Sequence, residues 1–465
     1  MSNLQLDDIQ GFILRTYRMP AFRTFVLKVQ QPEGARRFLG SLVTGESGKP
    51  QLATATDWTV KPDYCINVGL THSGLKALQV PAASLASFPE EFIEGAVARA
   101  EHIGDTGVSA PENWKDRLAS DDVHALVFLF AANEGVLETV SSQVKELFES
   151  GISILSIYDA RSLPGDVAHF GYRDGFAQPA IDGGLPPLLP DVLPKAPSGE
   201  FLLGYPSQYN DFTYPVPSPP ELGNNGSFVA FRILAQDCHA FEQFLDRAAA
   251  ETGLDRELIA AKMCGRWRNG VPLSLSPDKP DADLPLEKYN SFDYVPTPDV
   301  PDAVDDRKGY RCPIGSHIRR MNPRNSAVAG NSGLKRRVIR RGLPYGPPYD
   351  PNHPDDRIER GLLGLFIGVS LKDQFEFLMS DWANKGTFAP GLKDTRDAVI
   401  GDNSSPDSKF LIPIEGQKPV VLSGLSRFVT TKGGAYCFLP SATAMRYISA
   451  LPAALSTAAA NAPSN

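Results

Sequence analysis

Apolar residues along this chain follow two rhythms. Runs at 22–30 (FRTFVLKVQ), 65–70 (CINVGL) and 124–132 (HALVFLFAA) predict buried strands. Between them, 32–43 (PEGARRFLGSLV) and 135–149 (GVLETVSSQVKELFE) are spaced as helices, the second repeating Val136, Val140, Val144 and Leu147 at helical intervals. Residues 184–226 then break both rhythms, because LPPLLPDVLPKAP and YPVPSPPELGNNG hold too much Pro and Gly for a helix or a central strand. Beyond them the order restarts: a strand at 227–234 (SFVAFRIL), a helix at 238–252 with Phe241, Phe244 and Leu245 on one face, a strand at 362–370 and a helix at 371–383. Two α+β halves of similar grammar suggest a duplication, divided as 1–215 and 216–465. The stretch 271–360, rich in Pro and Asp and poor in periodicity, is where chemistry is expected.

Composition removes several classes of function. At 465 residues, 42% hydrophobic and 22% charged, the chain suits a large globular core, and no stretch approaches the ~18 apolar residues of a membrane span. A net charge of −8 without any Lys/Arg run argues against nucleic acid as a partner. The five cysteines form no CxxC, so neither a disulfide framework nor a zinc ribbon is expected. MSNLQLDDIQGFILRTY lacks the basic and apolar regions of an export signal; a cytoplasmic location is the expectation, and a trimmed secreted form would read the same. Oligomeric state is not encoded legibly.

Two short segments carry candidate chemistry. In GYRDGFAQPAIDG, residues 171–183, Arg173 and Asp174 stand between Gly171 and Gly175, which permits either a tight self-bonded turn or close approach to a flat ligand. In CPIGSHIRRMNPR, His317 is followed by Arg319, Arg320 and Arg324, and three cations near one imidazole invite an anion. None of the seven histidines makes HExxH or HxxxH spacing, so a zinc hydrolase has little support.

Together these segments resemble a known family. GYRDG followed by QP is similar to the GxxDG signature of the dye-decolourising peroxidases, and CPIGSHIRRMNPR resembles their proximal-histidine segment. The likeness continues in order through DDIQGFIL (7–14), FLLGYP (201–206), GRWRNGVPL (265–273), FDYVP (292–296), RRGLPYG (340–346) and GLLGLFIGVSLKDQFEFLMSDWAN (361–384).

The resemblance implies two ferredoxin-like α+β domains with one haem b between them, hydrogen peroxide as oxidant and dyes, phenols and other aromatic molecules as reductants. It implies His317 as the iron ligand, Asp174 as proton shuttle and Arg340 as distal cation. An acidic activity optimum follows, since a carboxylate stays ionised where an imidazole is protonated. Arg324 is implied as a propionate partner, with Arg319, His169 and Leu362 as further cofactor contacts and Arg320 open to similar work. The carboxylate behind His317 is implied at Asp397, with Asp402 left open by spacing. Trp382 and Tyr345 match surface electron-relay positions of some relatives; a buried helix anchor and a turn residue are their plainer readings. Gly364 stands where many relatives carry an aromatic, so the pocket is either wider here or filled by Phe366. Asp350, Asp355, Asp356 and Glu359 read as a solvated acidic loop rather than a cation site. The rival to an enzyme is a haem carrier on the same fold, which needs His317 but neither Asp174 nor Arg340.

Overall fold

The apolar runs become strands that pair in the same pattern twice, as the computed structural model shows over residues 4–148, 151–187, 189–209, 212–298, 300–324 and 334–452. In the first half, β1 (Ala21–Val29), the helix Pro32–Ser41, β2 (Tyr64–Leu70), β3 (Ala125–Ala131), the helix Glu134–Phe148 and β4 (Ile152–Arg161) give an antiparallel sheet ordered β4-β1-β3-β2. In the second, β5 (Ser227–Gln236), the helix Cys238–Thr252, β6 (Ile339–Tyr345), β7 (Gly361–Gly368), a helical stretch over 371–383 and β10 (Val429–Leu439) give β10-β5-β7-β6. Each half is therefore a βαββαβ unit with its fourth, first, third and second strands side by side, the ferredoxin-like order. A short hairpin, β8 (Lys409–Ile412) and β9 (Val420–Ser423), is inserted before β10.

The two sheets join edge to edge at β2 and β10, where Phe438 pairs with Leu70. The outer edges β4 and β6 approach each other in turn, so the eight strands curl towards a barrel. Its interior is aromatic: Phe22 stacks on Phe130 at 4.4 Å, and Phe128 meets Phe231 of the other half at 6.3 Å. Each such ring, fully buried, contributes about 1.5–3 kcal/mol. β3 is buried along its whole length, which is why its sequence is an unbroken apolar run rather than an alternation.

The division at 215/216 separates the two sheets but not the whole packing of the chain. The terminal helix Ala442–Ser449 returns to the first half, against Pro32–Ser41, with the Ala442 N–H donating to the Asp8 carbonyl at 2.9 Å. The helix expected at 371–383 forms with wider, π-type turns at Leu371–Glu376 and Leu378–Ala383.

Candidate active site

β7 organises one wall of a cleft. It lies between β5 and β6, its burial alternates, and Leu362, Gly364 and Phe366 are the partly open positions while Leu363, Leu365 and Ile367 enter the barrel core. Arg340 of β6 pairs directly with Phe366 and shares that face. A Cβ at Gly364 would sit 2.8 Å from the Phe366 ring, so the space that a side chain at 364 would fill is taken by Phe366. Of the two readings of Gly364, the filled pocket is the one found.

Above this wall, Arg340 Nη1 lies 3.4 Å from Asp174 Oδ1 and its Nη2 donates to the Ala177 carbonyl at 2.9 Å. The Asp174 and Arg340 side chains keep 57% and 39% of their surface open, although loss of solvent is the largest influence on Asp174. Burial alone would push the Asp174 carboxyl up; Arg340, the Gly175 N–H and His317 outweigh it and hold the group below the usual carboxylate value.

The loop bearing Asp174 is fixed from three sides. Gly171, at φ +83°, brings the backbone so close to Arg268 that a Cβ would lie 2.8 Å from its Nη1. Arg268 donates to the Phe170 carbonyl, and its own carbonyl accepts from the Arg173 N–H at 2.9 Å. The close approach expected at these glycines was to a flat ligand; at Gly171 the near neighbour is Arg268, while Gly175, at φ +86°, faces open space. Gln178 grips β6 with both ends of its amide, Nε2 donating to the Arg340 carbonyl at 3.0 Å and Oε1 accepting from the Arg340 N–H at 3.1 Å. His169 Nε2 donates to the Tyr345 carbonyl at 2.8 Å, and burial pushes its pKa down, so it is a neutral anchor only 5% exposed.

On the other side, His317 opens a short helix, His317–Met321, and its Nδ1 lies 2.9 Å from Asp397 Oδ2. Asp397 is fully buried; burial pushes its carboxyl up, but His317, the Ile400 N–H and Arg320 hold it below the usual range. An ionised Asp397 only accepts, so Nδ1 carries a proton, and in the neutral imidazole Nε2 is then the nitrogen with the lone pair. Asp397 is in turn oriented by the N–H groups of Val399 and Ile400 at 2.8 and 3.0 Å. Asp402, the alternative left by spacing, is instead bound to Thr106 and Arg427.

The arginines after His317 divide. Arg319 is fully buried and bonded to Asp306 and the Cys312 carbonyl, with its guanidinium 4.2 Å from the Tyr294 ring. Arg320 is spent on the Trp382 carbonyl and Thr395. Arg324 bonds Asn290 Oδ1 at 2.9 Å and Asp191 at 3.3 Å over the Phe292 ring.

Trp382 is 4% exposed and packs on Phe377 at 5.4 Å, so it is not a surface side chain; the anchor reading has the contacts. Tyr345 is partly open, and its hydroxyl donates to Glu359 at 2.8 Å. The acidic loop is answered by cations, Asp350 by His353, Asp356 by Arg360 and Glu359 by Lys115, and no metal-holding group of three His, Cys, Asp or Glu occurs among the described residues.

An imidazole with one free nitrogen, an apolar sheet face, a carboxylate–guanidinium pair opposite and buried arginines nearby suit a flat, iron-bearing, carboxylate-edged cofactor. The family model for the DyP dimeric alpha+beta barrel domain matches residues 45–164. Peroxidase 2 of Mycetinis scorodonius is 30% identical over 95% of this chain and 87% of its own length, and the multifunctional dye peroxidase DyP2 of an Amycolatopsis strain is 29% identical over 95% of each. The crystal structure of a fungal DyP-type peroxidase from Auricularia auricula-judae superposes with a TM-score of 0.82 at 26% identity, covering 97% of this chain and 100% of that one. The chain belongs to the dye-decolourising peroxidases, a family of haem enzymes, and is a peroxidase.

Proposed function

We propose that the cleft binds one haem b per chain, with His317 Nε2 as the iron ligand, and reduces hydrogen peroxide with Asp174 and Arg340 as the working pair. What supports this is an Asp174–Arg340 pair 3.4 Å apart in a chain whose His317 has its Nδ1 held by the buried Asp397. When bound, haem would supply the redox chemistry, two electrons for peroxide that aromatic donors would replace.

The side chains do the rest. Asp174, held as a carboxylate, accepts the proton of one peroxide oxygen and passes it to the other, which leaves as water. Arg340 stays charged and steadies the negative charge on the departing oxygen, its fork aligned by Ala177 and Gln178. Asp397 fixes the His317 tautomer and ring orientation. Because Asp174 titrates below the ordinary carboxylate range, the base stays available in acid, and the expected optimum is acidic. A haem carrier would have no use for the Asp174–Arg340 pair.

An absorption spectrum of the chain produced with haem available tests the reading. A Soret band that shifts on peroxide addition, and is lost in His317→Ala while the chain still folds, is expected. Full haem occupancy with an unchanged spectrum in that variant would overturn the ligand assignment.

A further inference from the structure

The segment GRWRNGVPL brings two arginines to the cleft. Arg268 holds the Asp174 loop from outside and is neutralised by Glu242 and Glu257. Arg266 is different. It is 6% exposed, and its Nη1 donates to the carbonyls of Gly270 and Tyr289 at 2.9 and 2.6 Å. Its guanidinium lies 5.8 Å from the Phe176 ring and 5.5 Å from the Phe292 ring, the latter also covered by Arg324. No carboxylate pairs with it among the described residues.

Its neighbours are cations. Burial, then the charges of Arg324 and Arg340, push the Arg266 guanidinium down to about 10. Arg324 has Asp191 and Arg340 has Asp174, so of these three guanidiniums Arg266 alone has no carboxylate. Arg341, also depressed to about 10 beside Arg340, is no counterpart: it points from the opposite face of β6 to the Phe12 carbonyl. A buried cation held among like charges with only carbonyl partners is costly unless an anion joins it. Arg340, one of those like charges, keeps 39% of its side chain open, so the group is not sealed from an incoming anion.

We infer that Arg266 is the counter-cation for a carboxylate edge of the haem, reaching it from between Phe176 and Phe292. This rests on the reading of the cleft as the haem site. Arg266 would then contribute to haem retention rather than to the peroxide step.

The test loads the full chain with haem b or with its dimethyl ester, which has the same ring and iron but no carboxylate charge. Release to excess apomyoglobin is followed in the Soret region. Arg266→Gln keeps a donor for the two carbonyls and removes the charge. It is expected to speed release of haem b by about 10- to 100-fold, the range for a lost charge-assisted hydrogen bond, and to leave release of the ester unchanged. Equal acceleration of both, or of neither, overturns the inference. Arg266→Met serves if the glutamine variant does not fold; failure of both to fold overturns it too, since neutralising a repelled cation must not undo the chain. A wild-type chain that takes up no haem b at all sinks the haem-site reading itself, a result distinct from these.

Discussion

Replacing Asp397 by Asn keeps the shape of the side chain and removes its charge, and the structure fixes what must follow. One carboxylate oxygen accepts from His317 Nδ1–H at 2.9 Å and the other from two backbone N–H groups, all in a fully buried place. An amide has one accepting oxygen and one NH2 group. If its oxygen serves Val399 and Ile400, the NH2 faces a donor at Nδ1, and His317 must move its proton to Nε2, losing the lone pair that would bind iron. If the amide turns round, two backbone donors lose their acceptor. Either way one charge-assisted hydrogen bond, worth about 1.5–3 kcal/mol, is lost, and a buried donor is left bare at about 1–3 kcal/mol, so the variant should be roughly 3–5 kcal/mol less stable near pH 7.

The pH dependence carries the sign. Asp397 is depressed in the folded chain, so its contribution is fully present above the unfolded value of about 3.9 and is lost as pH falls through the lower folded value. Urea unfolding of wild type and Asp397→Asn between pH 7 and pH 3 is the assay. The gap between them should be constant down to about pH 4 and shrink below it. A variant as stable as wild type at pH 7, or a gap that widens in acid, refutes the reasoning.

Three other outcomes follow from the same geometry. Gly364→Leu must displace the Phe366 ring, and thermal melts should show an overpacking cost of about 1–3 kcal/mol, relieved when Phe366→Ala is added; no cost would mean that the ring yields freely. Gln178→Ala removes two hydrogen bonds to the Arg340 backbone, at about 0.5–1.5 kcal/mol each, and should slow reaction with peroxide while leaving haem uptake intact; an unchanged peroxide rate removes Gln178 from the positioning of Arg340. Trp382→Phe should lower the melting temperature and turnover of a large dye and a small phenol alike, whereas Tyr345→Phe, which removes a surface hydroxyl whose proton Glu359 can take, should cost dye turnover alone; the reverse pattern exchanges their roles.

The strands legible in the sequence were those buried on both faces or nearly so, β1, β2, β3 and β5, and β7, whose half-open face is still apolar, so that in each the apolar residues run together. Those it hid share a physical reason. β4 (ISILSIYDAR) is an edge strand, mostly half open, so its apolar and polar residues mix. β6 (IRRGLPY) is the other edge, where two arginines, a glycine and a proline are tolerated because one side needs no ladder. β10 (VTTKGGAYCFL) carries a bulge between Thr431 and Gly433 that interrupts its alternation. In the site, the resemblance supplied the role read for Arg340, while the grip of Gln178 on its backbone and that of Arg268 on the Asp174 loop were not foreseen. Both join segments distant in sequence, Gln178 to β6 and Arg268 to Phe170, and no local pattern records such a contact.

Stopped-flow mixing of the haem-loaded chain with hydrogen peroxide, in Arg340→Leu and in Asp174→Asn across pH 3 to 7, tests the central claim most directly. Arg340→Leu is expected to slow the reaction by about 10²–10³-fold, as for loss of one fixed charge-stabilising group, and Asp174→Asn to be slow throughout this range because the base is gone. Both variants reacting at the wild-type rate at every pH would contradict it.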